Sequence, residues 1–314
     1  MSVAATASIH LKRDLTTGME FSAAALRDLL SMAADVKARP ADFRTALSGR
    51  FLALIFEKPS LRTRTTFEVG IQSLGGGSVF LDHTVTRLGE RETIRDVAHN
   101  LERWVHGIAA RTFAQSSIDE LAAHASIPVI NALSDLYHPC QAFADLLTLE
   151  ERFGGLRGLK FAYVGDGNNM CHSLMLAGAR AGMHVRVGTP EGYEPNAGIV
   201  AEAKRASRET RAKIELFHSA EEAVAGAQAV YTDVWTSMGQ EEEAEARAKT
   251  FAAFQVNKGL MKLAAQDAVF LHCLPAHRGL EVTEEVIDSP RSAIYDQAEN
   301  RLHLQKAILL QLLS

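Results

Sequence analysis

The segment FEKPSLRTRTTFE, Phe56 to Glu68, sets Lys58, Arg62 and Arg64 around Ser60, directly after the apolar run Phe51 to Phe56. A chain that leaves the carboxyl end of a strand and enters a helix presents free backbone N–H groups, and the positive end of the helix dipole, to whatever lies above. Ser60 can cap that helix, and the arginines offer forked donors. The chemistry is anion binding, and phosphate fits it. Successive helical residues differ by about 100°, so Arg62 and Arg64 point roughly 200° apart and cannot face one ligand together. Arg62, nearer the cap, is the better ligand. A capped helix with a solvated basic turn would spell the same letters, so other segments must decide.

Four such segments follow. In YHPCQ, Tyr137 to Gln141, Pro139 suits a helix start, and His138 and Gln141 flank it with groups that hydrogen-bond a small planar carbonyl and its amide. A histidine before proline also serves as a cap or packed side chain. VGDGNNMCHS, Val164 to Ser173, imitates a dinucleotide fingerprint, but Met170 stands where a third glycine belongs and the next strand, HVRVGTP, ends without the acid that holds a ribose. A nicotinamide cofactor is therefore not expected, and Asn168 and Asn169 offer amides to a polar substrate instead. In DVWTSMGQE, Asp233 to Glu241, Asp233 can receive an ammonium group or cap a loop, and Ser237 and Met238 lie on a segment able to close over a ligand. In FLHCLPAHRG, Phe270 to Gly279, an apolar strand carries His272 and Cys273 to its carboxyl end. A buried free cysteine is ordinarily packing, but that position suits chemistry, and Pro275 is expected to hold Leu274 extended.

These segments need strands and helices to position them. Short apolar runs at 51–56, 107–110, 129–132, 161–164, 185–187, 229–231 and 269–271 alternate with stretches of helical period. The expected fold class is α/β, with two domains, each a parallel sheet flanked by helices. Residues 93–105 read as one amphipathic helix with Ile94, Val97, Ala98, Leu101, Trp104 and Val105 on a single face. Ser219 and Glu222 form a capping-box pattern. A helix from Pro139 to Phe153 ends in GGLRG, where the domains are expected to join. The division falls at residues 1–148 and 149–297, and a last helix, 299–313, is apolar enough for the segment 298–314 to pack back on the first domain. The acidic run Glu241 to Glu243 reads as a solvated loop.

With 314 residues, 47% of them hydrophobic and 23% charged, the chain can fill two ordinary domains. A net charge of −5 gives no global basic field, which argues against nucleic acid or an anionic membrane as partner. The start, MSVAATASIHLKRDL, lacks an export signal, and no stretch nears the roughly 18 apolar residues of a membrane span, so a cytosolic location is expected. Cys140, Cys171 and Cys273 make an odd set without a CxxC pair, which points to free thiols rather than disulfides or a zinc site.

Taken together, SLRTR, HPCQ, DGNN, DVWTSMG, HCLP and AENR, in this order from Ser60 to Arg301, resemble the carbamoyltransferase family and, through SMG and HCLP, its ornithine branch. The resemblance implies that Ser60, the Leu61 backbone, Arg62 and Thr63 hold the phosphate of carbamoyl phosphate. It implies that Arg111, His138, Gln141 and Arg301 address the carbamoyl end, with Cys273 and the Leu274 carbonyl beside it. Asn169, Asp233, Ser237 and Met238 would bind L-ornithine. Cys273, Asp233, Arg111 and His138 would be catalytic, no metal or organic cofactor would be needed, and the chain would form a homotrimer with sites at subunit boundaries. In the loop HTVTRLGE, His83 to Glu90, Arg87 stands where an uncharged residue is frequent in the family, and it is expected to add a cation to the neighbouring subunit's phosphate. A sister enzyme using putrescine or an acylated ornithine, and a non-catalytic amino-acid-binding protein, are the rival readings.

Overall fold

In the computed structural model, residues 14–82, 87–236 and 241–314 are described. They build two sheets, all of whose strand pairs are parallel. The strands are β1 (Phe51–Phe56), β2 (Gly77–Asp82), β3 (Gly107–Arg111) and β4 (Val129–Leu133) in the first sheet, ordered β2-β1-β3-β4. The second holds β5 (Lys160–Val164), β6 (His184–Gly188), β7 (Lys213–Phe217), β8 (Ala229–Thr232) and β9 (Val269–His272), ordered β7-β6-β5-β8-β9. Strand order reverses between β1 and β3 in one sheet and between β5 and β8 in the other. In open α/β sheets ligands bind beyond the carboxyl ends of strands at such reversals.

The seven apolar runs all lie on strands, and β2 and β7 are additions to them. Both are edge strands, wet along much of their length, so neither needs a continuous apolar run. The helix expected over 93–105 stops at Leu101, and Trp104 is 67% exposed rather than packed with its supposed face. The apolar face belongs to Ile94, Ala98 and Leu101, while Thr93 caps the first turn by accepting from Asp96 N. Glu241–Glu243 form a short 3-10 turn, not a free loop, and Glu243 pairs with Arg247. Ser219 caps the helix Ala220–Val224 by accepting from Glu222 N, one half of the pattern read in the sequence.

The helix Pro139–Phe153 runs as expected, with Pro139 in its first turn and Gly154 left-handed at φ 71° after its end. The last helix begins earlier than read, at Ile294, and packs on the helices Ala23–Ala38, Leu61–Ser73 and Pro139–Phe153. One apolar cluster runs from Leu52 and Ile130 of the first sheet through Leu146 and Leu309 to Phe161 and Tyr231 of the second. The two sheets are thus held by a shared core, and the carboxyl ends of their strands face one cavity. No helix among the described residues is long and apolar enough to cross a membrane.

Candidate active site

A cavity of about 960 Å³ opens between the two sheets. The first sheet contributes the loop after β1, from Lys58 to Thr63, together with Arg111 at the end of β3 and His138 before its helix. The second contributes Asp166 to Met170 after β5, Asp233 to Thr236 after β8, and Cys273 to Pro275 after β9. Arg301 reaches in from the last helix.

On the first-sheet side, Ser60 occupies the cap position but makes no side-chain cap bond, contrary to the capping read in the sequence. Its hydroxyl instead accepts from Arg111 Nη1 at 3.4 Å, which leaves the first-turn amides of the helix Leu61–Ser73 for another acceptor. Arg301 donates to Thr63 Oγ1 and so braces the same turn. The two arginines of SLRTR part as their spacing demands. Arg62 lines the cavity, whereas Arg64 binds Glu68 at 2.8 Å and lies over the Phe80 ring. Burial lowers the pKa of Arg62, takes Arg111 down to about 10 with repulsion from Arg301 and Arg62, and lowers that of Arg301. Arginine keeps its charge at neutral pH, and an anion brought among the three offsets both the cost of burying them and their mutual repulsion.

His138 is buried, and that burial, with Arg301 and Arg111 nearby, drives its pKa well below 6.5. The ring is a neutral imidazole, able to donate from one nitrogen only. Gln141 does not line the cavity. It lies three residues further along the same helix, fully buried, with Nε2 on Asp145 Oδ1 at 2.7 Å and Oε1 without a partner. Arg111 Nε, Arg301 Nε and His138 Nδ1 are likewise buried and unpartnered.

On the second-sheet side, Asp233 is the centre. Its Oδ2 accepts from Asn168 Nδ2 at 3.0 Å, and its Oδ1 from its neighbour Val234 N at 2.8 Å and from Cys273 Sγ at 3.0 Å. Burial, and then the Asp233 charge, push the Cys273 thiol well above 9.0, so the sulfur keeps its proton. Asn168 also caps the helix Asn169–Ala181, accepting from Met170 N and Cys171 N, and Asn169 donates to Ser134 O at 2.7 Å. Gly167 is required where it stands, because a Cβ there would lie 2.2 Å from Pro195 N. Cys140 and Cys171 are buried free thiols.

Leu274 is not extended, as its place before Pro275 suggested, but left-handed at φ 58°. The reason lies in His272, whose Nδ1 accepts from Leu274 N at 2.9 Å while Nε2 faces Glu281 Oε1 at 3.2 Å. The neighbouring carboxylate fixes the tautomer, and the tautomer holds the backbone. Asp233, His272 and Cys273 bring one ligand atom each within 4.8 Å of one another. That donor set does not fit a metal ion, since both His272 nitrogens already have protein partners in Leu274 N and Glu281 Oε1.

Arg87, Ser237 and Met238 are not among the residues gathered here, and one ion pair was not visible in the sequence. Arg87 is exposed and stacks over Phe113 at 4.5 Å, outside its own chain's cavity. The adjacent Leu88 and the Phe113 beneath it are held by Glu57, which accepts from Leu88 N and Phe113 N at 2.8 Å each. Ser237 and Met238 lie outside the described residues. Sequence reasoning missed the buried ion pair between Asp166 and Arg247, both of which line the cavity. Asp166 sat within a quoted motif, but Arg247 lies in a helix of unremarkable composition and carries no local signal.

The chain matches two family models, "Aspartate/ornithine carbamoyltransferase, carbamoyl-P binding domain" over residues 13–151 and "Aspartate/ornithine carbamoyltransferase, Asp/Orn binding domain" over residues 157–312. It is 53% identical to an ornithine carbamoyltransferase of Anoxybacillus flavithermus, across 98% of this chain and 99% of the relative. A second from Thermus thermophilus is also 53% identical, covering 98% of each chain. The solved ornithine carbamoyltransferase from Pyrococcus furiosus superposes with a TM-score of 0.93 at 48% identity, covering 98% of this chain and 99% of that one. With both sheets matched and the paired cavity halves formed by the quoted motifs, the chain belongs to the aspartate/ornithine carbamoyltransferase family.

Proposed function

We propose that this protein transfers the carbamoyl group of carbamoyl phosphate to the side-chain amine of L-ornithine, giving L-citrulline and phosphate in arginine metabolism. The observation that carries the reading is the division of one cavity into an arginine half, with Arg62, Arg111 and Arg301, and an Asp233–Cys273 half. The first takes a dianionic phosphate, the second an ammonium group. A transfer between substrates of those charges needs both in one space.

In this reading Ser60, the Leu61 N–H, Arg62 and Thr63 hold the phosphate. Arg111, Arg301 and His138 aim donors at the carbamoyl oxygen, where negative charge develops as the amine attacks, and Gln141 addresses the carbamoyl amide. One well-placed donor of this kind is worth about 3 to 4 kcal/mol. Asn169 and Asp233 orient ornithine, with Ser237 and Met238 from the segment that closes over it. The incoming amine has an intrinsic pKa of about 10.4 and must shed a proton before attack. Asp233 binds the ammonium form, whose first proton leaves to solvent before attack; the Leu274 carbonyl accepts an N–H from the reacting group, and as the C–O bond breaks the departing phosphate takes the second proton from the attacking nitrogen. Cys273 acts as a thiol that orients Asp233, not as a thiolate base. Carbamoyl phosphate binds first, and closure over both substrates excludes the water that would hydrolyse it.

The carbamoyl phosphate half comprises residues 1–148 with 298–314, and the ornithine half residues 149–297. The enzyme works in the cytosol as a homotrimer, in which Arg87 supplies a cation to the next subunit's phosphate. The deciding experiment is citrulline formation by purified protein from carbamoyl phosphate with ornithine, putrescine and N-acetylornithine in parallel. Product from ornithine alone supports the reading. Product from another amine, or binding without turnover, overturns it.

A further inference from the structure

A chain of buried hydrogen bonds lies behind the carbamoyl side of the cavity. Gln297 Oε1 accepts from the backbone N–H of His272 at 3.0 Å, a donor that cannot change sides. That contact fixes which end of the Gln297 amide is which, so its Nε2 must point the other way, to Asp145 Oδ1 at 2.7 Å and to Tyr231 Oη at 3.2 Å. Gln141 Nε2 meets the same Asp145 oxygen at 2.7 Å. Every one of these residues is fully or almost fully buried, so water does not compete for the contacts.

The polarity of a glutamine amide is set by its partners. Asp145 Oδ1 accepts from two amides, which turns Gln141 Nε2 toward it and leaves Oε1 buried and without a protein partner, behind the cavity wall rather than on it. His138, three residues earlier on the same helical face, lines the cavity. Gln141 therefore has its Oε1 acceptor without a protein partner, while Asp145 holds one of the two Nε2 hydrogens.

We propose that Asp145 is a positioning residue that fixes the polarity of Gln141 so that its oxygen receives the N–H of the carbamoyl amide, making the site selective for a carbamoyl over an acyl phosphate. The inference rests on the function proposed above. An acetyl phosphate offers a methyl group where the carbamoyl offers an N–H, and a buried acceptor left facing a methyl keeps its full desolvation penalty. With Asp145 removed, Gln141 is free to rotate by half a turn and meet the carbamoyl N–H with its own N–H. Burial raises the Asp145 carboxyl to about 7, which is compatible with the role because a neutral carboxyl still accepts through Oδ1. It also means that asparagine, whose amide carries a carbonyl acceptor beside an NH2, can stand in for the group.

The test compares wild type, Asp145→Ala and Asp145→Asn, measuring KM for carbamoyl phosphate and the inhibition constant of inorganic phosphate, which lacks the carbamoyl group. Wild-type citrulline formation is the control for the function itself; its failure removes that reading and says so separately. Given an active wild type, Asp145→Ala is expected to raise the KM on the order of tenfold, the loss of one well-made buried hydrogen bond. The phosphate inhibition constant should stay unchanged, and Asp145→Asn should recover most of the KM. Should Asp145→Ala not fold, Asp145→Ser, whose hydroxyl is too short to reach Gln141, takes its place with the same expectation. An unchanged KM, or a parallel rise in both constants that asparagine does not restore, overturns the proposal.

Discussion

The Cys273 thiol donates to Asp233 Oδ1 across 3.0 Å, joining the carboxyl ends of β9 and β8 at the floor of the cavity. Burial and the adjacent carboxylate both oppose thiolate formation, so the contact runs from a neutral sulfur to the carboxylate. In the proposed reaction such a sulfur steers the carboxylate toward the substrate cation without competing for the proton that the amine must lose.

Replacing Cys273 tests that role. A serine hydroxyl also donates, but from a shorter bond, so Cys273→Ser should lower kcat by about tenfold or more while leaving the KM for carbamoyl phosphate within about twofold. Steady-state kinetics with each substrate varied would check it, and an unchanged kcat would remove the cysteine from the mechanism.

Arg62 differs from Arg64 in what it faces. Arg62→Lys keeps the charge and loses the planar fork, so carbamoyl phosphate KM should rise by about tenfold or more. The matching Arg64→Lys change, made to a side chain engaged with Glu68 and Phe80, should alter KM by less than about twofold.

Arg87 sits outside its own cavity, over Phe113. If it reaches the site of a neighbouring subunit, Arg87→Gln should weaken carbamoyl phosphate binding, and the effect should shrink at high salt as screening grows. Equal affinity for carbamoyl phosphate in the variant and the parent would refute the contact.

Asp145 also makes a statement about stability. Its carboxyl titrates at about 7 in the fold against a usual 3.8, so the folded chain holds a proton that the unfolded chain has released. Stability from this group is complete below about pH 4 and is lost as pH rises toward 7. Denaturant unfolding of Asp145→Asn, compared with the parent at pH 5 and pH 7.5, should show the variant gaining relative stability at the higher pH. A difference that stays constant with pH would mean that Asp145 is ionised throughout.

Gly167 is held by contact rather than conformation. A Cβ on it would lie 2.2 Å from Pro195 N and 2.4 Å from Glu194 C, both backbone atoms. Gly167→Ala is therefore expected to cost about 3 kcal/mol or to displace the loop after β5, with loss of activity, read by denaturant unfolding and citrulline assay.

Local sequence was enough to determine the alternation of strand and helix, the helix Pro139–Phe153 and the motifs at strand ends that meet in the cavity. These are short-range matters: apolar period, cap and turn chemistry, and the habit of parallel sheets to bind ligands where strand order reverses. Edge strands β2 and β7 were not among the runs read, β2 holding only the half-wet Val79 to Leu81 and β7 being broken by Glu215, because one side of each needs no cover. The helix after Thr93 ended at Leu101 although the period continued, because the chain must turn there to enter β3. Only the tertiary structure decided which partners set each functional group. Gln141 owes its polarity to Asp145 and, through it, to Gln297, 152 residues further on. Leu274 is left-handed because His272 and Glu281 hold its amide, and Asp166 is answered by Arg247 from 81 residues away. Hydrogen bonds between buried side chains depend on angstrom-scale placement by the folded core, and no local pattern of residue types records that placement.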